Sequence, residues 1–149
     1  MKRSSSITLD KPLLTTLHIL TQTVCGTETT TEYFGPIKTT LIGTVETQTF
    51  PGPPNYESIA SGDEIESCWY LKLQHPINVL IASGQEHLGN DTETYNIKVV
   101  QMATGYSEHD KGLIKKKKPV KVTGTLFRRL TGHHHAKILI HVEKIESTE

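Results

Sequence analysis

Two short stretches, LIGTV at 41–45 and VTGTL at 122–126, set a Gly-Thr pair in the middle of runs rich in Val, Ile, Leu and Thr. β-branched residues of this kind fit a pleated strand better than a helix. A glycine inside such a strand has no side chain to pack and gives up more conformational freedom than any other residue. It is tolerated where the strand bends sharply or where another backbone passes close by. Small closed sheets need such bends where strands turn a corner. The paired glycines therefore favour a curved, closed β architecture over a flat sheet or a helical bundle.

The rest of the chain supplies strands to match. Residues 38–50 (KTTLIGTVETQTF) read as a first strand and 66–73 (ESCWYLKL) as a second. In the second, Trp69, Leu71 and Leu73 share the inward face and Cys68, Tyr70 and Lys72 the outer one, which makes Tyr70 the main exposed aromatic. Pro76 ends or bends this strand, and 77–81 is a candidate continuation. After a polar loop at 83–93, residues 95–102 form a third strand with Tyr95, Ile97 and Val99 on one face. Residues 106–118 are the best candidate for a short helix. A fourth strand at 119–129 turns Val120, Val122, Gly124 and Leu126 inward, and a fifth at 136–144 does the same with Ala136, Ile138, Ile140 and Val142. Three strands, a short helix and two strands, with glycine bends in the first and fourth, give an all-β domain over residues 37–147. The expected fold is a five-stranded, OB-fold-like Greek-key barrel, with another small barrel or sandwich as the alternative. Residues 1–36 form an N-terminal arm, loose over 1–10 and either an extra strand or a short helix over 11–24.

A chain of 149 residues has room for one such domain and an arm. Lys plus Arg number 16 and Asp plus Glu 16, and this neutrality argues against a dedicated nucleic-acid binder, which carries a basic surplus. No apolar run reaches the roughly 18 residues of a membrane span. The start, MKRSSSITLDKPLL, lacks the apolar segment of a signal peptide, which favours a cytoplasmic chain or one with a replaced leader. Cys25 and Cys68 could form one disulfide, worth about 3 to 4 kcal/mol on the chain-entropy model; the alternative is two small buried hydrophobes.

Two loops stand out. FPGPPNYESI at 50–59 joins the first two strands and is stiffened by three prolines; LTGHHH at 130–135 joins the last two. In the expected barrel these loops flank the usual ligand-binding face. The candidate ligand-binding residues are Pro53, Asn55, Tyr56, Glu57, Ser58, Tyr70, Thr131, His133, His134 and His135. Alternation in an extended segment lets His133 and His135 chelate one zinc or copper ion while His134 points away. Glu57, Asp63, Tyr56 or His141 would complete that set. A polar turn hydrogen-bonded to the facing loop, or a pH-sensing contact, explains the same histidines. A single-stranded nucleic-acid reading rests on Trp69, Tyr70, Tyr95 and the run Lys115-Lys116-Lys117-Lys118, which reads more simply as a solvated helix end. Nucleophile elbow, phosphate loop, HExxH and CxxC are all missing from the sequence, so no catalytic constellation is expected.

FPGPPNYESIASGD, SCWYLKL and KVTGTLFRRLTGHHHAKILIHV, within residues 37–145, resemble the signature stretches of a small bacterial family catalogued only as a domain of unknown function. The resemblance implies an exported, periplasmic, OB-like domain without assigned activity. Asn78 stands after Pro76-Ile77 where relatives often carry cysteine, which leaves Cys25 to pair with Cys68 or with nothing. The expected function is a non-catalytic binding or interaction module. It would take a protein or small polar ligand at the rim formed by 50–63 and 130–135, for instance as an inhibitor or immunity-type partner of a secreted enzyme. Metal binding through the histidines is the alternative.

Overall fold

The computed structural model describes residues 28–83, 93–103 and 107–149; Cys25 and the segment 11–24 lie outside the described residues. The elements are β1 (Thr30–Tyr33), β2 (Lys38–Pro51), a 3-10 turn (Ile59–Ser61), β3 (Ile65–Leu80), β4 (Thr94–Ala103), α1 (Glu108–Lys115), β5 (Val120–Arg128) and β6 (Ile138–Ser147). Strands β2 to β6 correspond to the five expected ones, and α1 falls between the third and fourth. Ser107 and Asp110 close a capping box at the start of α1, each side chain bonding the other's backbone N–H.

The strands form one six-stranded sheet in the order β1-β3-β2-β5-β6-β4, and β3 also pairs with β4. The last pairing returns the sheet on itself, so β3, β2, β5, β6 and β4 make a ring. All its ladders are antiparallel except β4–β6. The ring closes because long strands are shared. β2 gives residues from Gly43 onward to β3 and those up to Gly43 to β5. Gly43 sits at the handover, where a Cβ would lie 2.3 Å from the Lys72 carbonyl oxygen. Gly124 meets the same constraint in β5, with a Cβ position 2.1 Å from the His141 carbonyl oxygen. Both glycines are thus required by close backbone approach.

Inside the ring, Leu41, Val45, Leu71, Val100, Met102, Val122, Leu126 and Ile140 form the centre of the core, joined by Ile114 of α1. Trp69 packs against this core from its margin, half-buried.

Three places in the sheet depart from simple alternation. First, Pro76 disturbs β3 without ending it, and 77–80 continues the strand, which is the second of the two alternatives above. Around it β3 exchanges β2 for the new edge strand β1, and its register with β4 shifts between Lys72 and Ile77, so the missing proline N–H falls in an irregular stretch. Second, Tyr95, Ile97 and Val99 do not behave as one face: Tyr95 and Val99 are 60% and 39% exposed, Ile97 is half-buried against the core, and the buried residues of β4 include Val100 and Met102. Asn96 takes φ 56 between Tyr95 and Ile97, with its N–H held by Asn78 Oδ1 at 3.0 Å, and the β3–β4 register shifts between the Ile77–Ile97 and Lys72–Val99 pairs. Third, β1 within the N-terminal arm is an extra strand of the sheet. β1 pairs in parallel with Ile77–Leu80, and Phe34 is 3% exposed in the core.

Candidate functional site

The β2–β3 loop is organised around one buried carboxylate. Asp63 accepts hydrogen bonds from the N–H groups of Asn55 (3.0 Å), Glu57 (2.8 Å) and Ser58 (2.8 Å) and from the Asn55 side-chain amide (3.1 Å). Gly52 and Glu64 tie the loop's neck, with Gly52 N to Glu64 O at 2.7 Å and Glu64 N to Pro53 O at 2.8 Å. The donors from Ser58 and Glu57, foremost among its neighbours, hold the Asp63 carboxyl below its usual range. A depressed carboxyl pKa stabilises the fold above the unfolded value, about 3.9, and that contribution disappears as pH falls through the lower folded value. The loop is therefore expected to stay closed at neutral pH and to open only below about pH 4. The Glu57 and Ser58 amide resonances followed through an acid titration check this, and Asp63→Asn should abolish the transition.

This loop holds Tyr56 at φ 59, a left-handed backbone that costs a non-glycine residue about 1 kcal/mol. From there the ring lies over Gly132 and meets His133 edge-on at 5.0 Å between centroids.

The β5–β6 loop is held from below by Gln101, which is 4% exposed. Its side-chain amide donates to the His133 carbonyl (2.8 Å), and its oxygen accepts from the N–H groups of His135 (2.7 Å) and Ala136 (3.0 Å). Tyr70, Gln101 and Leu139 are lateral neighbours across β3, β4 and β6. They alternate with ring-core residues and so point outward, yet they are 5%, 4% and 0% exposed. The histidine loop has folded back over the outer face of the sheet and buried them. Tyr70 is therefore not the exposed contact expected. Burial, then Cys68 and Glu66, pushes its hydroxyl up to about 12.

Above this layer the two loops join. Tyr56 Oη lies 2.9 Å from His133 Nε2, and His133 Nδ1 lies 2.6 Å from Glu66 Oε1. A carboxylate only accepts, so Nδ1 carries the proton toward Glu66, and in the neutral ring Nε2 accepts from the tyrosine hydroxyl. The other Glu66 oxygen faces His135 Nε2 at 3.4 Å. The His135 ring stacks on Phe50 at 3.9 Å with planes 5° apart. His134 turns away: its Nδ1 accepts from the N–H groups of Leu130 (2.9 Å) and Thr131 (3.3 Å), and its ring packs against Phe127. Burial, foremost, lowers its pKa and keeps it in the neutral form those donors need.

Beside the junction runs an open groove of about 400 Å³ whose lining includes Glu66, Cys68, Trp69, Gln101, Met102 and His133. Cys68 is buried and carries no disulfide, and burial followed by the charge of Glu66 raises its thiol pKa. Among the described residues, Glu66, Cys68 and His135 form the one group of three metal-ligating side chains, their ligand atoms all within 4.8 Å of one another. The expected carboxylates, Glu57 and Asp63, are not in it, because Asp63 is spent on the loop backbone. Pro53, Asn55 and Ser58 shape the loop, and Thr131 accepts the His134 N–H at 3.1 Å. Glu66 and Gln101 went unrecognised in the sequence. A signal existed for Glu66, which lies two and four residues before Cys68 and Tyr70 on one face of a strand.

Fold and site together define a small β protein whose polar site is built by two loops over the outside of a closed ring. Residues 100–146 match the family described as a domain of unknown function (DUF4431). That segment holds Gln101, α1, both final strands and the histidine loop, but not the proline-rich loop or Glu66. No curated protein and no solved structure matches the chain. No described helix is long and apolar enough to cross a membrane.

Proposed function

We propose that this chain is a non-catalytic binding module of OB-fold-like barrel architecture that takes a protein segment or small polar ligand in the groove beside the loop junction. The barrel reading is supported by the cyclic order β2-β3-β4-β6-β5, the parallel β4–β6 pair and the helix between β4 and β5. The binding reading is carried by one observation: two loops about seventy residues apart are locked together through Tyr56, His133 and Glu66 at the edge of an open groove. Such a preformed surface loses little entropy when a ligand arrives. It presents carboxylate, imidazole, indole and amide groups side by side. The family resemblance adds export alone; an inhibitor or immunity-type partner of a secreted enzyme is one role such a module would fill. The nucleic-acid reading has lost Tyr70, now buried under the loop.

Chemical-shift mapping with a panel of sugars, carboxylates, nucleotides and short peptides tests the proposal. Binding is expected to move amides of 66–69, 101–103 and 131–136, and His133→Ala combined with Glu66→Ala should remove the effect while the ring resonances persist. Shifts confined to another face, or unaltered by the double variant, would refute it.

A further inference from the structure

Glu66 and Cys68 are two apart on β3 and so share a face, and the Gln101-held loop brings His135 to them. We propose that Glu66, Cys68 and His135 form a three-ligand site for a thiophilic transition-metal ion, zinc being the best match, with its fourth position open to the groove. This goes beyond the binding reading and does not depend on it.

Distance, donor chemistry and surroundings all support the site. Ligands about 2.0 to 2.1 Å from a tetrahedral ion stand about 3.4 Å apart, the separation of Glu66 Oε2 from His135 Nε2. The sulfur, within 4.8 Å of both, needs only a small approach. A set of one thiolate, one imidazole and one carboxylate suits zinc or copper, whereas calcium and magnesium take oxygen alone. Nor is this a solvated acidic patch: the Glu66 and His135 side chains are 20% and 16% exposed and Cys68 is 8% exposed.

The surroundings also hold the ligands in place. The non-coordinating Glu66 oxygen takes the His133 Nδ1 proton, and His133 is in turn fixed by Tyr56. Phe50 sets the plane of the His135 ring and Gln101 its backbone. Outer partners of this kind orient metal ligands and tune their basicity. On this geometry His133 supports the site from outside, since both its ring nitrogens are engaged. Binding would replace the Cys68 thiol proton, released to solvent, with the ion.

The test uses the reduced, untagged full chain in a Cys25→Ser background, titrated with Co²⁺ alone and then competed with Zn²⁺. One equivalent of Co²⁺ is expected, with a thiolate-to-cobalt charge-transfer band that Zn²⁺ abolishes. Cys68→Ser and His135→Ala should each weaken binding at least about 100-fold and Tyr56→Phe about 10-fold or less, while His134→Ala leaves it unchanged. Far-ultraviolet circular dichroism confirms that each variant is folded. Three results would overturn the site: no binding at tens of micromolar, binding without the charge-transfer band, or a band that survives Cys68→Ser. Groove mapping on the metal-free Cys68→Ser protein reports separately on the binding proposal.

Discussion

Gly124→Ala should destabilise the protein by about 3 kcal/mol or more, at or beyond the upper end of ordinary overpacking costs. The added methyl would stand 2.1 Å from the His141 carbonyl oxygen, 3.0 Å from its carbon and 3.1 Å from Ile140 Cγ1. A flexible side chain could swing aside, but the obstacle here is backbone. His141 is held by its pairing with Thr125, and Gly124 itself pairs with Val142 just past a register shift. Relief therefore requires β5 and β6 to part, which opens the ladder that encloses Val122, Leu126 and Ile140. For a domain of this size the melting temperature should fall by about 10 °C. Gly112→Ala serves as the opposite control. Nothing lies within 4 Å of its Cβ position in α1, so alanine there should stabilise by up to about 1 kcal/mol through helix propensity. Urea or thermal melts of the two variants decide the matter; equal, small effects would mean that β5 and β6 do not approach as described.

The second large effect is expected at Gln101. Gln101→Leu keeps the bulk but strips three partners at once: the His133 carbonyl and the His135 and Ala136 N–H groups. A buried backbone group left without a partner costs about 1 to 3 kcal/mol. Water can recover part of that loss only if the loop lifts. The expected outcome is a loss of about 2 to 3 kcal/mol, together with release of the histidine loop from the sheet. Hydrogen exchange should show the His135 and Ala136 amides losing protection while the amides of Leu71 and Ile140 in the ring keep theirs. Gln101→Glu retains the acceptor for both N–H groups and loses only the donor, so it should fall between wild type and Gln101→Leu. Should Gln101→Leu leave those two amides protected, the loop is held by something other than this side chain.

Legibility from sequence varied with the range of the interaction. Val120, Val122, Gly124 and Leu126 alternate in a strand that packs as its pattern says, because period-two burial is a local property of extended backbone. The mid-strand glycines were legible for the same reason. Tyr95, Ile97 and Val99 do not keep one face, because Asn96 takes a positive φ before Ile97 and the β3–β4 register shifts between Ile97 and Val99, and no residue pattern announces either. Alternation places Tyr70 on the outer face correctly, but not its burial, because the loop folded over that face lies some sixty residues further along the chain.

The site divides along the same line. Its histidines and its proline-stiffened loop are conspicuous as composition, but His134 parts from His133 and His135 through a turn in which its Nδ1 accepts from the Leu130 and Thr131 N–H groups. The choice of carboxylate was not readable: Glu57, Asp63 and Glu66 are all within ten residues of one another, and which of them reaches an imidazole depends on where the loop closes. Asp63 is consumed by four donors in its own loop, leaving Glu66, at the foot of β3, to face the histidines. From sequence alone came strands β2 to β6, the inward faces of β3, β5 and β6 and the two glycines of closure, because these follow from the covalent geometry of neighbouring residues. Only the tertiary structure decided that Gln101 anchors the histidine loop and that Glu66, Cys68 and His135 converge. Those contacts join distant parts of the chain, and their partners are selected by how the ring closes.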